Sequence, residues 1–224
     1  MPVRSVLYWK PNQGNVMTNE EVMSKISECI ETLHGVEDQE CHCHACVTFY
    51  TPILRDERAS FADLPQDFVG VLMMEQLNKQ FFVMQSRWIV VEADSLILPL
   101  IEKLSSYKPK SYITLNGTLY KMGDFQIRLF KVLPDQGNLK GIIAEIEYLP
   151  ISSIEQSKKI MEEMVDTLNE LASKKSLEGH FVQAKANYAK YGLDDDYTSQ
   201  HTAVQYAATS LTELIQSALR SHDN

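Results

Sequence analysis

Three of the four cysteines and two of the six histidines in this 224-residue chain fall in one hexapeptide, Cys41-His42-Cys43-His44-Ala45-Cys46. Thiolate and imidazole are zinc ligands, and Cys43 and Cys46 have the Cys-x-x-Cys spacing. A zinc site needs about four such ligands, usually as pairs from separate places in the chain. No second Cys-x-x-Cys or His-x-x-x-His exists to complete it. Read with a period of two, the segment becomes a strand. Cys43, Ala45, Val47 and Phe49 fall on one face and His42, His44, Thr48 and Tyr50 on the other, with Cys46 the exception. Cysteine packs as a small hydrophobe, so a strand is expected here and no resident metal. Adventitious zinc on His42 and His44 stays open.

Glu145 and Glu147 raise a second possibility, because two carboxylates two apart on a strand point the same way and could hold a divalent cation. Enzymes that hydrolyse triphosphates inside a β-tunnel use such pairs. They need several of them, together with many inward lysines and arginines, and this sequence supplies one pair. A solvent-facing strand edge opposite Ile143 and Ile146 is expected instead. Asp194-Asp195-Asp196 lacks the alternating ligands and following glycine of a calcium loop and reads as a solvated turn or helix cap. No phosphate loop, dinucleotide glycine fingerprint, nucleophile elbow or metalloprotease helix occurs. No catalytic residue, cofactor or metal ligand is expected.

The elements that would carry these residues follow from periodicity. Val3 to Trp9 reads as a strand. Thr18 with Glu21 forms a capping box, followed by Val22, Ile26, Ile30 and Leu33 at helical spacing before Gly35. Between Cys41 and Lys140 come short β-branched and aromatic runs: Cys43 to Thr51, Phe68 to Met74, Gln80 to Gln85, Trp88 to Glu92, Tyr112 to Leu115, Thr118 to Met122 and Phe125 to Val132. Gly141 to Tyr148 follows the turn-like 134–138. One helix, about Leu96 to Leu104, interrupts them. After Pro150 the strands are expected to stop. Met161, Met164, Val165, Leu168 and Leu171 form one helical stripe, and Val204, Ala207, Ala208, Leu211, Leu214, Ile215 and Ala218 a second. Gly179 to Tyr197 is weakly patterned and reads as a partly helical, mobile insertion. An α+β fold is expected, a single domain over 1–224 with an antiparallel barrel of about eight strands flanked by helices and a helical part from about 151.

Composition bounds the function. With 44% apolar and 23% charged residues the chain reads as an ordinary soluble protein. No apolar run approaches a membrane span. Crowded cysteines do not form the distributed framework of a small secreted fold, so free thiols in a reducing compartment are expected. A net charge of −9 argues against phosphate neutralisation as the main task of the surface.

The most distinctive stretch is Asn116-Gly117-Thr118-Leu119-Tyr120-Lys121-Met122-Gly123-Asp124-Phe125-Gln126-Ile127-Arg128, followed by Lys140-Gly141-Ile142-Ile143-Ala144-Glu145-Ile146-Glu147-Tyr148. It resembles the subunit 20 family of the Mediator head module. Members carry a Gly-Thr-x-Tyr element, an Asp-Phe strand start and a Gly-Ile/Leu strand ending in an acidic-aromatic step. The matching positions, Gly117, Tyr120, Asp124, Phe125, Gly141, Glu145, Glu147 and Tyr148, are expected to be structural. Gly117 and Gly123 permit turn dihedrals and Asp124 closes its turn through a side-chain bond. Tyr120 and Phe125 read as barrel core. The resemblance is strongest over 111–150; 175–200 and the Cys/His hexapeptide have no counterpart in it.

The resemblance implies a fold similar to Mediator subunit 18 and distantly to the tunnel triphosphatases. It implies a noncatalytic nuclear subunit that heterodimerises with Mediator subunit 18 and is tethered through Mediator subunit 8. Such a subunit acts as a transcription coregulator for RNA polymerase II and reaches its initiation machinery indirectly. Neither membrane nor direct nucleic-acid contact is expected. The alternative is a metal-dependent triphosphate hydrolase of the β-tunnel type built on Glu145 and Glu147.

Overall fold

Ile142, Ile143 and Ala144 are consecutive and all buried, the mark of a strand packed on both faces. The computed structural model describes residues 1–14, 16–53, 66–94, 96–134 and 138–208. In chain order it places β1 (Val3–Pro11), α1 (Asn19–Thr32), β2 (Val36–Pro52), β3 (Phe68–Met73), β4 (Lys79–Met84), β5 (Ile89–Asp94), α2 (Ile97–Leu104), β6 (Tyr107–Met122), β7 (Phe125–Pro134), β8 (Gly141–Tyr148), α3 (Ile154–Lys174), β9 (Gly179–Gln183) and α4 (Ser199–Ala207). The strands form one antiparallel sheet in the order β5-β4-β3-β2-β6-β7-β8-β1-β9. The fold is α+β, as expected, with nine strands where about eight were expected.

Each face of this sheet has its own core. On the inner face Val6, Val47, Val71, Phe81, Ile113, Val132 and Ile143 pack against Ala203, Val204, Tyr206 and Ala207 of α4. On the outer face Leu7, Trp9, Ile127, Leu129, Ile142 and Ile146 pack beneath Val22, Ile26 and Ile30 of α1 and Met161, Leu168 and Ala172 of α3. Helices therefore flank the sheet on one side, while α4 sits inside the curl, every one of its nine residues but Gln200 buried. A helix enclosed on all sides cannot present the two-sided pattern of a surface helix, which is why an apolar stripe alone did not place it. The stripe expected beyond Ala208 lies outside the described residues.

Most expected elements are present. Thr18 makes both bonds of the capping box with Glu21. The runs Tyr112–Leu115 and Thr118–Met122 are one strand, β6, because Asn116 and Gly117 stay in the ladder opposite His44 and Cys43. Strands do not stop at Pro150: β9 adds to β1 through Trp9↔Phe181 and Tyr8↔Val182. The stretch 179–197 is thus an integral edge strand followed by a 3₁₀ turn, Tyr188–Tyr191, and not a mobile insertion. Tyr197 is buried, its hydroxyl 2.9 Å from Thr202. Positions 135–137 of the expected turn lie outside the described residues.

Candidate functional site

Among the described residues the buried charges of the sheet all lie on the inner face, at one end of β1, β7 and β8. There β8 places Glu145 and Glu147 on the same face as Ile143, and the neighbouring strands set Arg128 opposite Glu145 and Arg4 opposite Glu147. Cross-strand neighbours of opposite charge stabilise a sheet, and here they interlock. Arg4 Nη1 donates to Glu145 at 3.2 Å and Arg4 Nε to Glu147 at 3.2 Å, while Arg128 Nη1 reaches Glu145 at 3.0 Å and Glu147 at 2.8 Å. Glu75, from a 3₁₀ turn after β3, bridges both guanidinium groups, 2.6 Å from Arg4 and 2.7 Å from Arg128. Tyr206 of α4 donates to Glu145 at 2.9 Å. Both carboxylates of β8 are buried, which corrects the expected solvent-facing edge. Glu145 and Ile143 share the inner face, and Ile146 points to the other.

The charges hold one another in place. Burial alone would lower the Arg4 pKa, but Glu145, Glu75 and Glu147 outweigh it and leave the guanidinium more firmly protonated than in water. Arg128 is likewise raised: burial and Arg4 oppose its charge, and the three glutamates prevail. Burial, then the nearby Glu145, pushes the Tyr206 hydroxyl well above its ordinary range, so it remains a donor. A cavity of about 310 Å³ adjoins the cluster, lined by Arg4, Glu75, Arg128, Glu145 and Tyr206 on one side and by Cys43, Ala45, Met73 and Phe130 on the other.

α4 is fixed to both margins of the sheet. β9 pairs with β1 only from Leu7 onward, and beyond it the Gln205 amide continues the ladder. Its Oε1 accepts from Val6 N at 2.8 Å, and its Nε2 donates to Arg4 O at 3.0 Å and to the Tyr197 hydroxyl at 2.8 Å. On the far side Gln85 donates to the Ala207 carbonyl. At the start of α4, His201 accepts from Thr198 N at 3.1 Å through Nδ1, and its Nε2 lies 3.1 Å from the Asp194 carbonyl. Tyr197 stacks on the ring.

The Cys/His hexapeptide lies on β2. Cys43 is buried on the inner face with Ala45 and Val47. Cys46, three residues on, belongs to the opposite face, so the two sulfurs of the Cys-x-x-Cys cannot share one ion. Burial pushes the Cys46 thiol up, away from the thiolate that metals bind. His44 Nδ1 sits 2.6 Å from Asn116 Oδ1. The side chains of Cys41 and His42 lie outside the described residues. Among the described residues no group of three or more His, Cys, Asp or Glu side chains could hold a metal ion. Asp195 is a cap: it accepts from Glu155 N at 2.7 Å and from the Ser153 hydroxyl at the start of α3.

Residues 1–209 match the family model described as TATA-binding related factor (TRF) of subunit 20 of Mediator complex. The chain is 43% identical over 208 residues to Mediator of RNA polymerase II transcription subunit 20b of Arabidopsis thaliana, covering 92% of this chain and 93% of the relative. The chain belongs to the Mediator subunit 20 family. Among solved structures, a chain of the Schizosaccharomyces pombe Mediator head module is similar with a TM-score of 0.43 and 11% identity, over 81% of this chain and 100% of that one. The PH1012 protein of Pyrococcus horikoshii OT3 is similar with a TM-score of 0.42 and 14% identity, over 74% and 90%.

The residues that carry the Mediator subunit 20 resemblance divide between the two faces. Tyr120 is buried on the outer face and donates to Ser27 of α1 at 3.0 Å. Phe125 and Tyr148 pack together at 4.9 Å between ring centroids on that same face, so both aromatics belong to the layer under the helices and not to the interior of the curl. Gly117 is needed for close approach rather than for a turn: a Cβ there would lie 2.3 Å from the Leu129 carbonyl oxygen. Gly123 has a φ of +55° and makes the expected turn. Beside it the Asp124 carbonyl accepts from Leu149 N at 2.9 Å. Gly141 is the buried first residue of β8.

Sequence reasoning missed Arg4, Glu75, Arg128, Gln205 and Tyr206. A signal existed for the arginines. Each stands inside an apolar strand, Val3-Arg4-Ser5-Val6-Leu7 and Ile127-Arg128-Leu129, where a charge needs a buried partner.

Proposed function

We propose that this chain is a noncatalytic subunit of the Mediator head module. In this reading it heterodimerises with Mediator subunit 18, is tethered through Mediator subunit 8, and acts in the nucleus as a transcription coregulator for RNA polymerase II. The observation that carries this reading is the family match over 1–209. The site is compatible with it. The inner carboxylates are engaged by two guanidinium groups and a tyrosine, and α4 packs against the inner face beside them. A divalent cation at Glu145 and Glu147 would have to displace both arginines. The family positions Gly117, Tyr120, Asp124, Phe125, Gly141, Glu145, Glu147 and Tyr148 act in this reading by shaping and packing the sheet, with the whole chain serving as one domain.

Coexpression with a tagged Mediator subunit 18 from the same source, followed by size-exclusion chromatography, tests it. A coeluting pair of equal stoichiometry is expected. Two folded proteins eluting separately would overturn the heterodimer.

A further inference from the structure

Among the described residues the outer face of the sheet is covered over only part of its width. Over β1, β7 and β8, α1 and α3 bury Leu7, Trp9, Ile127, Ile142 and Ile146. Across β5, β4, β3, β2 and β6 the registers line up Val91, Phe82, Gly70, Thr48 and Tyr112. All five positions face away from the inner core, because their neighbours Val90, Val83, Val69, Val47 and Ile113 pack in it. The row carries no charge. Val91 is 46% exposed, Ile89 beside it on the same face 44% and Tyr112 39%, values that a covering helix would not leave.

This half-face is built, not merely bare. Gly70 has no side chain because Tyr50 lies over it: a Cβ would come within 2.9 Å of the ring. In that space Tyr50 stacks on Phe68 at 4.7 Å, and Phe82 meets Phe68 edge-on at 5.3 Å. Interlocked rings of this kind are pre-ordered and bind at low cost in side-chain entropy. Packed on β6, α2 carries Ile97, Leu98, Leu100, Ile101 and Leu104 in eight residues, and none is buried. Leu96, Leu100 and Leu104, four apart, form one exposed stripe.

Charge says what fits. Where α2 meets β6, Lys103 and Lys110 are exposed, and neither has an ion pair among the described residues. An uncharged aromatic centre with a cationic rim is the anatomy of a protein–protein contact.

We infer that the outer half-face from β5 to the start of β6, together with α2, seats the partner subunit through a partner surface that is apolar at its centre and carboxylate-rich opposite the lysines. This rests on the heterodimer reading above. The test uses full-length chain and tagged Mediator subunit 18, with binding measured at low and high salt and amide hydrogen exchange of the wild type followed with and without the partner. Val91→Glu is expected to weaken binding roughly thirtyfold or more. Lys103→Glu with Lys110→Glu is expected to weaken it about fivefold at low salt and less at high salt. Amides of 89–94 and 107–112 should gain protection in the wild-type complex. Wild type that fails to bind overturns both the heterodimer and this inference. Wild type that binds while Val91→Glu, still folded, binds equally well overturns the inference alone. So does a complex without protection at 89–94 and 107–112, a readout independent of how the variants fold. Self-association of the chain alone that Val91→Glu abolishes, with partner binding intact, would give the face to a second copy and overturn it as well.

Discussion

Arg4 joins two buried carboxylates that also contact Arg128, so its removal leaves negative charge in the interior with half its compensation. Removing one member of such a pair costs far more than the pair contributes. Arg4→Met is expected to destabilise the fold by about 3–5 kcal/mol, read as a lowered urea midpoint with unchanged slope. His201 supplies a pH dependence. Burial lowers its pKa, and the Asp194 carbonyl and carboxylate, which oppose this, do not offset it. The unfolded chain therefore takes up the proton first, near pH 6.5. Stability is full above that value and falls as the pH drops through the folded-state pKa. Melting curves between pH 7.5 and 5 should show this loss, and His201→Gln should flatten it. At this scale the sequence was least informative. Glu145 and Glu147 look solvent-facing until the partners on β1 and β7 are known, and those lie 143 and 17 residues away.

Helices and most strands were legible because each carries its own signal. Thr18 and Glu21 announce α1 by a local exchange of bonds, and Phe125, Ile127 and Leu129 alternate onto one face of β7. β9 was missed for a physical reason. Gly179-His180-Phe181-Val182-Gln183 is too short to show alternation, and its place is fixed by Trp9, whose ring meets Phe181 edge-on at 5.2 Å. β6 was divided because Asn116-Gly117 reads as a turn, whereas Gly117 is there to let β7 come close. Gly117→Ala should cost about 1–3 kcal/mol through the contact with the Leu129 carbonyl, measured as a shift in urea midpoint. A neutral result would mean that β6 and β7 can part without loss.

For the whole molecule, α4 substitutes for the hydrogen bonds that would close the sheet. Among the described residues no ladder joins β5 to β9; Gln205 and Gln85 tie the helix to either margin, and Trp88 meets Tyr191 edge-on at 5.4 Å. A chain ending at Thr198 is expected to lose cooperative unfolding and near-ultraviolet dichroism and to bind hydrophobic dyes. A sharp transition in that shortened chain would mean that the sheet closes unaided. The pairing of β1 also has a consequence for biosynthesis. Arg4 emerges 141 residues before Glu145, so at roughly 5–20 residues per second β1 waits about 7–28 s for the strand it pairs with. An apolar segment left unpaired for that long invites aggregation, and a charge within it discourages it. Arg4 thus serves the nascent chain as a solubilising charge before it serves the folded one as a counterion.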